Sequence, residues 1–95
     1  MRVNGNTILI TGGATGIGLA LAEAFVKTGN KVIICARTEK NLKQAKENLP
    51  YIHIKKYDVS KEADCEALYS WATANFKDLN VLINNAGILY SKKSL

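Results

Sequence analysis

The sequence predicts an α/β fold in which about four strands and three helices form one doubly wound parallel sheet, partial in extent, over residues 1–95. Strand-type and helix-type segments alternate along the chain, as in folds built from βαβ units. The strand-type segments are mostly unbroken apolar runs, which are typical of strands buried on both faces of a parallel sheet. The expected strand order is 3-2-1-4, and right-handed crossovers then place the first two helices on one face and the third on the other.

The first half of the chain contains two strand–helix units. Residues 7–11 form a short apolar run, and residues 17–27 are rich in alanine and leucine, as expected of a helix. Gly29 follows that segment and fits the position of a helix C-terminal cap. Residues 32–36 are a second apolar run, and residues 39–49 carry apolar side chains at helical spacing.

The second half repeats the pattern with weaker signals. Residues 51–57 alternate in part between apolar and polar side chains, which predicts a strand near the sheet edge. A helix is expected to begin at Ser60, and residues 81–83 form the fourth apolar run. Residues 88–95 have no clear pattern.

The composition excludes several classes of protein. Hydrophobic residues make up 47% and charged residues 22%, which argues against intrinsic disorder. No apolar run approaches the roughly 20 residues of a membrane span, and the first residues lack the pattern of a signal peptide. The two cysteines, Cys35 and Cys65, are too few for a zinc module or a disulfide framework. Free thiols without a leader favour a cytoplasmic location.

The net charge of +5 is compatible with either nucleic acid or a phosphorylated cofactor. A nucleic-acid-binding protein is the weaker interpretation, because the sequence shows no helix-turn-helix, zinc site or aromatic strand face. The expected partners therefore include neither nucleic acid nor a membrane.

A glycine-rich turn joins the first strand to the first helix. Gly12 permits a sharp turn, Gly16 lets backbone approach a pyrophosphate, and Gly18 allows close packing of the helix on the sheet. The helix N-terminus adds unpaired N–H groups and partial positive charge. No Gly-Lys-Ser or Gly-Lys-Thr follows, so this is not a Walker loop.

Four motifs at the ends of the four strands resemble those of the short-chain dehydrogenase/reductase family. They are Thr-Gly-x-x-x-Gly-x-Gly over residues 11–18, Ala-Arg at 36–37, Asp-Val at 58–59 and Asn-Asn-Ala-Gly at 84–87. The resemblance implies a Rossmann-type dinucleotide-binding half. It also implies an oxidoreductase that transfers hydride between a nicotinamide cofactor and a carbonyl or alcohol substrate.

The resemblance also implies roles for individual residues. The glycine-rich turn would bind the pyrophosphate and the adjacent ribose, Asp58 would accept a hydrogen bond from the adenine amino group, and the Val59 backbone would lie beside the ring. Residues 85–87 would line the ribose side of the cleft, while Asn84 would connect the strand end to its neighbours. The full set of expected cofactor-binding residues is Gly12, Thr15, Gly16, Ile17, Gly18, Arg37, Thr38, Asp58, Val59, Asn85, Ala86 and Gly87.

The end of the second strand predicts a preference for NADP(H) over NAD(H). NAD-binding relatives place there a carboxylate that binds the ribose 2′-hydroxyl, whereas this chain has Ala36 followed by Arg37. A guanidinium is suited to a phosphate. The hydroxyls of Thr15 and Thr38 are candidates for further contacts with it.

No catalytic or metal-binding residue is predicted. The family's Tyr-x-x-x-Lys pair must meet across one helical turn, whereas Tyr51 and Lys55 match that text on a predicted strand, where they would be roughly 13 Å apart. His53, on the same strand and without an evident partner, is interpreted as structural. The chain is therefore expected to be an inactive cofactor-binding part of a longer oxidoreductase. A non-catalytic nucleotide-binding module is the alternative.

The fourth strand predicts self-association. In relatives a fifth strand pairs with it, so residues 81–83 would otherwise form an apolar open edge. A homo-oligomer through this edge is expected, or else coverage by residues 88–95. The substrate itself cannot be inferred from these residues.

Overall fold

The computed structural model describes residues 3–12 and 14–85. These residues form a parallel sheet of order β3-β2-β1-β4, so the expected fold class and strand order are confirmed. In chain order the elements are β1 (Thr7–Thr11), α1 (Gly16–Lys27), β2 (Lys31–Ala36), α2 (Glu39–Asn48), β3 (His53–Lys56), α3 (Glu62–Asn75) and β4 (Val81–Asn84).

Two apolar clusters cover the two faces of the sheet. Successive strand residues point to opposite faces, so neighbours such as Ile33 and Ile34 belong to different clusters. The first cluster joins the sheet to α1 and α2 and contains Ile8, Ile10, Ala14, Ala22, Val32, Ile34, Leu42, Ala45 and Ile52. The second joins it to α3 and contains Leu9, Ile33, Cys35, Val59, Leu68 and Ala72. The helices therefore lie on the faces that the sequence predicted.

Some boundaries differ from the expected ones. The third strand begins at His53 and not at residue 51, where the Tyr51 side chain is 85% exposed. The third helix begins at Glu62 and not at Ser60, because the Ser60 backbone and hydroxyl both donate to the Asp58 carboxylate in a turn before the helix. Side-chain hydrogen bonds of this kind compete with helix formation.

His53 was expected to have no partner, and this expectation is wrong. Its ring packs edge-on against Phe76, with the two ring centroids 4.9 Å apart. Burial, together with the positive charges of Lys46 and Lys31, lowers the pKa of His53. The contact supports the structural interpretation of this residue.

Within residues 3–12 and 14–85, no helix combines the length and apolar character needed to cross a membrane.

Candidate functional site

A cavity of about 470 Å³ opens at the carboxyl ends of β1 and β2 and beside the loop that follows β3. In open α/β sheets, ligands bind outside the carboxyl ends of the strands, where the winding direction reverses. Here the reversal lies between β1 and β4, since β2 and β3 extend the sheet to one side of β1 and β4 to the other. The residues that line the cavity are Gly12, Ala14, Thr15, Cys35, Ala36, Arg37, Thr38, Asn41, Tyr57, Asp58, Val59, Ser60 and Asn85.

The turn from β1 into α1 has left-handed backbone at two of its glycines. Gly12 has φ of 70° and Gly16 has φ of 58°, both in the left-handed region that favours glycine. The Gly12 N–H donates to the Cys35 carbonyl over 2.7 Å, so the turn is fastened to the end of β2. Thr15 is the N-cap of α1, whose first N–H groups lack partners within the helix. Those groups are the donors that an anion would use.

The end of β2 supplies the positive charge of the site. Arg37 follows the last strand residue, is exposed and lines the cavity. Thr38 is the N-cap of α2, and Asn41 lies in the first turn of that helix. The residues that line the cavity after β2 therefore include one with a guanidinium, one with a hydroxyl and one with an amide.

The loop after β3 supplies a carboxylate. Asp58 Oδ1 accepts hydrogen bonds from the Ser60 hydroxyl over 2.6 Å and from the Ser60 N–H over 3.1 Å. These bonds, the hydroxyl first, hold the pKa of Asp58 below its ordinary value, and the positive charges of Lys61 and Arg37 act in the same direction. The side chain is therefore an ionised acceptor at neutral pH.

The end of β4 is connected to β1 as predicted. The Thr11 hydroxyl donates to Asn84 Oδ1 over 3.0 Å. The Asn85 N–H donates to the Thr11 carbonyl over 3.0 Å, and Asn85 Nδ2 donates to the Gly12 carbonyl over 3.2 Å. Asn85 thus lines the cavity beside the glycine turn, while Ala86 and Gly87 lie outside the described residues.

The cavity brings together residues from all four motifs. Of the expected cofactor-binding residues, those that line it are Gly12, Thr15, Arg37, Thr38, Asp58, Val59 and Asn85. Gly16, Ile17 and Gly18 begin α1 but do not line it, and Ile17 is 73% exposed. In the described part of the chain, no group of three or more His, Cys, Asp or Glu residues could hold a metal ion.

Several lining residues were not predicted. Ala14, Cys35, Tyr57 and Ser60 lie beside motif residues in the sequence, so their proximity follows from the motif positions. Asn41 gave no separate signal, because Arg37 precedes the N-cap Thr38 and the i, i+4 spacing of a helix does not extend to it.

The buried thiol of Cys35 makes the stability of the chain depend on pH in the alkaline range. Burial raises the pKa of its thiol from 9.0 to about 12. The folded chain therefore retains the thiol proton over a range in which the unfolded chain loses it. The contribution of this thiol to the free energy of unfolding should therefore be constant below about pH 9. Above about pH 9, that contribution should fall by up to ~1.4 kcal/mol per pH unit.

Urea unfolding at intervals between about pH 8 and 11 checks this expectation. The decline should be steeper for the wild-type chain than for Cys35→Ala, because titration of lysines and tyrosines is common to both. Equal slopes for the two proteins would contradict it.

Comparison with known proteins agrees with the site. The sequence matches the family model described as short chain dehydrogenase over residues 6–95. It is 53% identical over 88 residues to the uncharacterized oxidoreductase DltE of Bacillus subtilis (strain 168), in an alignment that covers 93% of this chain and 35% of that protein. The chain spans about a third of the length of the first curated relatives that it matches.

Solved structures show the same fold. A 3-ketoacyl-(acyl-carrier-protein) reductase from Brucella melitensis, complexed with NADH, superposes with a TM-score of 0.77 at 30% identity, covering 85% of this chain and 34% of that one. The Pseudomonas aeruginosa RhlG/NADP active-site complex gives 0.79 at 30% identity, covering 88% and 35%. By its match over residues 6–95, the chain belongs to the short-chain dehydrogenase/reductase family, whose members are oxidoreductases that bind nicotinamide cofactors.

Proposed function

We propose that the chain forms the NADP(H)-binding part of an oxidoreductase that interconverts a carbonyl compound and an alcohol. The observation that carries this proposal is the wall of the cavity at the end of β2. Arg37 lines the same cavity as Gly12 and Thr15 of the glycine turn, and the family resemblance implies that Ala36 occupies the position of the carboxylate in NAD-binding relatives.

The residues present fit the adenine half of such a cofactor. Gly12 and Thr15 line the cavity just before the N-terminus of α1, whose unpaired N–H groups would bind a pyrophosphate, and Gly12 has no side chain to obstruct it. Asp58 is an ionised acceptor suited to the adenine amino group, and the half-buried Asn85 borders the same cavity. When bound, the nicotinamide of the cofactor supplies or accepts a hydride. No catalytic residue is proposed within the described residues, and the substrate is proposed only as a carbonyl or alcohol compound.

The choice between the two cofactors depends on charge. A guanidinium attracts the 2′-phosphate of NADP(H), whereas a carboxylate would repel it. Of the two similar structures, one is a complex with NADH and the other a complex with NADP, at the same 30% identity to this chain. The proposed preference therefore rests on Ala36 and Arg37 of this chain.

Arg37→Ala should weaken the binding of adenosine 2′,5′-bisphosphate about ten- to a hundred-fold, because a hydrogen bond to a charged group contributes roughly 1.5–3 kcal/mol. Binding of adenosine 5′-monophosphate, which lacks the 2′-phosphate, should change little. Calorimetric titration of both nucleotides measures the two affinities.

Lys40→Ala is the matched control, because Lys40 is an exposed cation three residues further on that does not line the cavity. It should leave the preference for the 2′-phosphate intact. A wild-type chain that binds both nucleotides equally well, or an Arg37→Ala chain with an unchanged preference, would refute the proposed cofactor.

We also propose that the chain self-associates through β4. Within the described residues β4 pairs only with β1, and its apolar side chains from Val81 to Ile83 are half-buried. A strand at the edge of a sheet is a template for pairing with another chain. Light scattering should therefore give a mass above 10.4 kDa that rises with concentration. Amide exchange in β4 should slow in parallel, whereas a monomer at every concentration would count against this edge.

A further inference from the structure

A second carboxylate, which lies outside the cavity lining, forms a hydrogen bond to the turn that carries Asp58. Asp64, in the first turn of α3, accepts a hydrogen bond at Oδ2 from the backbone N–H of Asp58 over 2.7 Å. Asp58 follows β3 by two residues, so this bond joins the exit of the edge strand to the start of the next helix. Asp64 itself does not line the cavity, whereas Asp58, Val59 and Ser60 all do.

Three further bonds complete the turn. The Lys61 N–H donates to the Asp58 carbonyl over 3.0 Å, and Ser60 donates twice to Asp58 Oδ1. The backbone N–H, the carbonyl and one carboxylate oxygen of Asp58 are thus all engaged within the loop and the first turn of α3. A carboxylate has about four acceptor sites on two oxygens, so Asp58 keeps acceptor capacity for a ligand.

Asp64 is favoured at the N-terminus of α3 by its charge, but that charge does not account for its hydrogen bond to the Asp58 backbone. It brings another negative charge to a loop that already carries Asp58, and like charges close together are unfavourable. Its short bond is made to a backbone N–H rather than to a cation. An acceptor at this point fixes the peptide plane that precedes the Asp58 side chain, and with it the direction in which the carboxylate leaves the backbone.

We propose that Asp64 is a positioning residue for an adenine-selective subsite, in which it holds the backbone of Asp58 so that the carboxylate faces the exocyclic amino group of the base. The inference rests on the proposed function, because it assumes that an adenine nucleotide occupies the cavity. Asp64 acts through Asp58 and does not touch the ligand. The subsite selects adenine over hypoxanthine, whose carbonyl oxygen at the same position would face a carboxylate.

The test is the ratio of the affinities for adenosine 5′-monophosphate and inosine 5′-monophosphate, measured by calorimetry on the full chain. The wild-type chain should prefer adenosine by about tenfold or more, the effect of one hydrogen bond to a charged group. Asp64→Ala removes the acceptor and should bring the ratio to within about threefold of unity, whereas Asp64→Asn keeps an acceptor oxygen and should retain most of the preference.

Glu66→Ala is the matched control, because it removes one exposed carboxylate from the same helix without touching the turn. It should leave the ratio unchanged. If Asp64 acted only through its negative charge at the N-terminus of α3, Asp64→Asn and Asp64→Ala would give the same affinity ratio. An unchanged ratio in Asp64→Ala would overturn the inference.

Ser60→Ala provides a second variant at an exposed position, in case Asp64→Ala does not fold. It removes the 2.6 Å bond to Asp58 Oδ1 and should also lower the ratio; a wild-type ratio in Ser60→Ala and in a folded Asp64 variant would contradict the inference. A wild-type chain that binds both bases equally would refute the subsite alone. One that prefers adenine but ignores the 2′-phosphate would refute the proposed cofactor alone, and one that binds no nucleotide would refute both.

Discussion

Ile33→Ala is expected to lower the free energy of unfolding by about 2–5 kcal/mol, the range for large-to-small changes in protein cores. Ile33 is fully buried on β2, an inner strand of the sheet. It packs in the cluster under α3 with Leu9 and Leu68, so the change leaves a cavity between the sheet and that helix. Because β2 is flanked by β1 and β3, little relaxation is available to close the cavity.

The loss is large relative to the total stability of the chain. The free energy of unfolding of a domain is about 0.05–0.15 kcal/mol per residue, so a chain of this length is expected to have a total of roughly 5–14 kcal/mol. Urea unfolding followed by Trp71 fluorescence measures the change. Ile17→Ala is the matched control, because Ile17 is 73% exposed and the same deletion there should cost less than about 0.5 kcal/mol. Equal losses at the two positions would contradict the described packing of the sheet.

The fold could be predicted because its signals are local and repeated. The unbroken apolar runs around Leu9, Ile33 and Leu82 correspond to inner and switch-point strands of one parallel sheet, and the glycine spacing marks the first βα junction. The expected strand order then fixes which helices share a face. The start of α3 was misplaced because Ser60, a good N-cap residue, bonds instead to Asp58 two residues earlier.

The site could be predicted only where a motif residue carries it. Arg37, Asp58 and Asn85 follow strand ends in the sequence, and parallel strands bring such positions to one edge. Asp64 gave no signal, since its bond to the Asp58 backbone spans six residues across a loop whose conformation the sequence spacing does not define. Side-chain bonds between a loop and the next element depend on distances that sequence spacing does not define.

Asn30→Ala is expected to lower the free energy of unfolding by about 2–5 kcal/mol, because each buried polar group left without a partner costs roughly 1–3 kcal/mol. Asn30 is 8% exposed, before β2. Its Oδ1 accepts from the Asn6 N–H over 3.0 Å and from Asn6 Nδ2 over 2.9 Å. Its Nδ2 donates to the carbonyls of Phe25 and Val3 over 3.0 and 3.2 Å.

Asn80 connects the side chains of Asn6 and Asn30 to the start of β4. Its Nδ2 donates to Asn6 Oδ1 over 3.0 Å, and its Oδ1 accepts from the Thr7 N–H over 2.8 Å. The amino ends of β1, β2 and β4 are thus joined by side chains. Asn80→Ala should cost less than Asn30→Ala, since it breaks two of these bonds, and Asn48→Ala at an exposed position should cost less than about 0.5 kcal/mol. Similar losses for Asn30→Ala and Asn48→Ala in urea unfolding would contradict this role.

The hydrogen-bonded side chains of Asn6, Asn30 and Asn80 lie at the opposite end of the strands from the cavity. Stability and ligand binding should therefore depend on different residues. Asn6 and Asn30 precede β1 and β2, whereas Arg37 follows β2. Asn30→Ala should therefore unfold at lower urea concentration, yet its folded fraction should bind adenosine 2′,5′-bisphosphate with wild-type affinity. Arg37→Ala should do the reverse, because Arg37 is exposed and substitutions at exposed positions usually change stability by less than about 0.5 kcal/mol. A loss of both properties in either variant would show that the two ends of the sheet are energetically coupled.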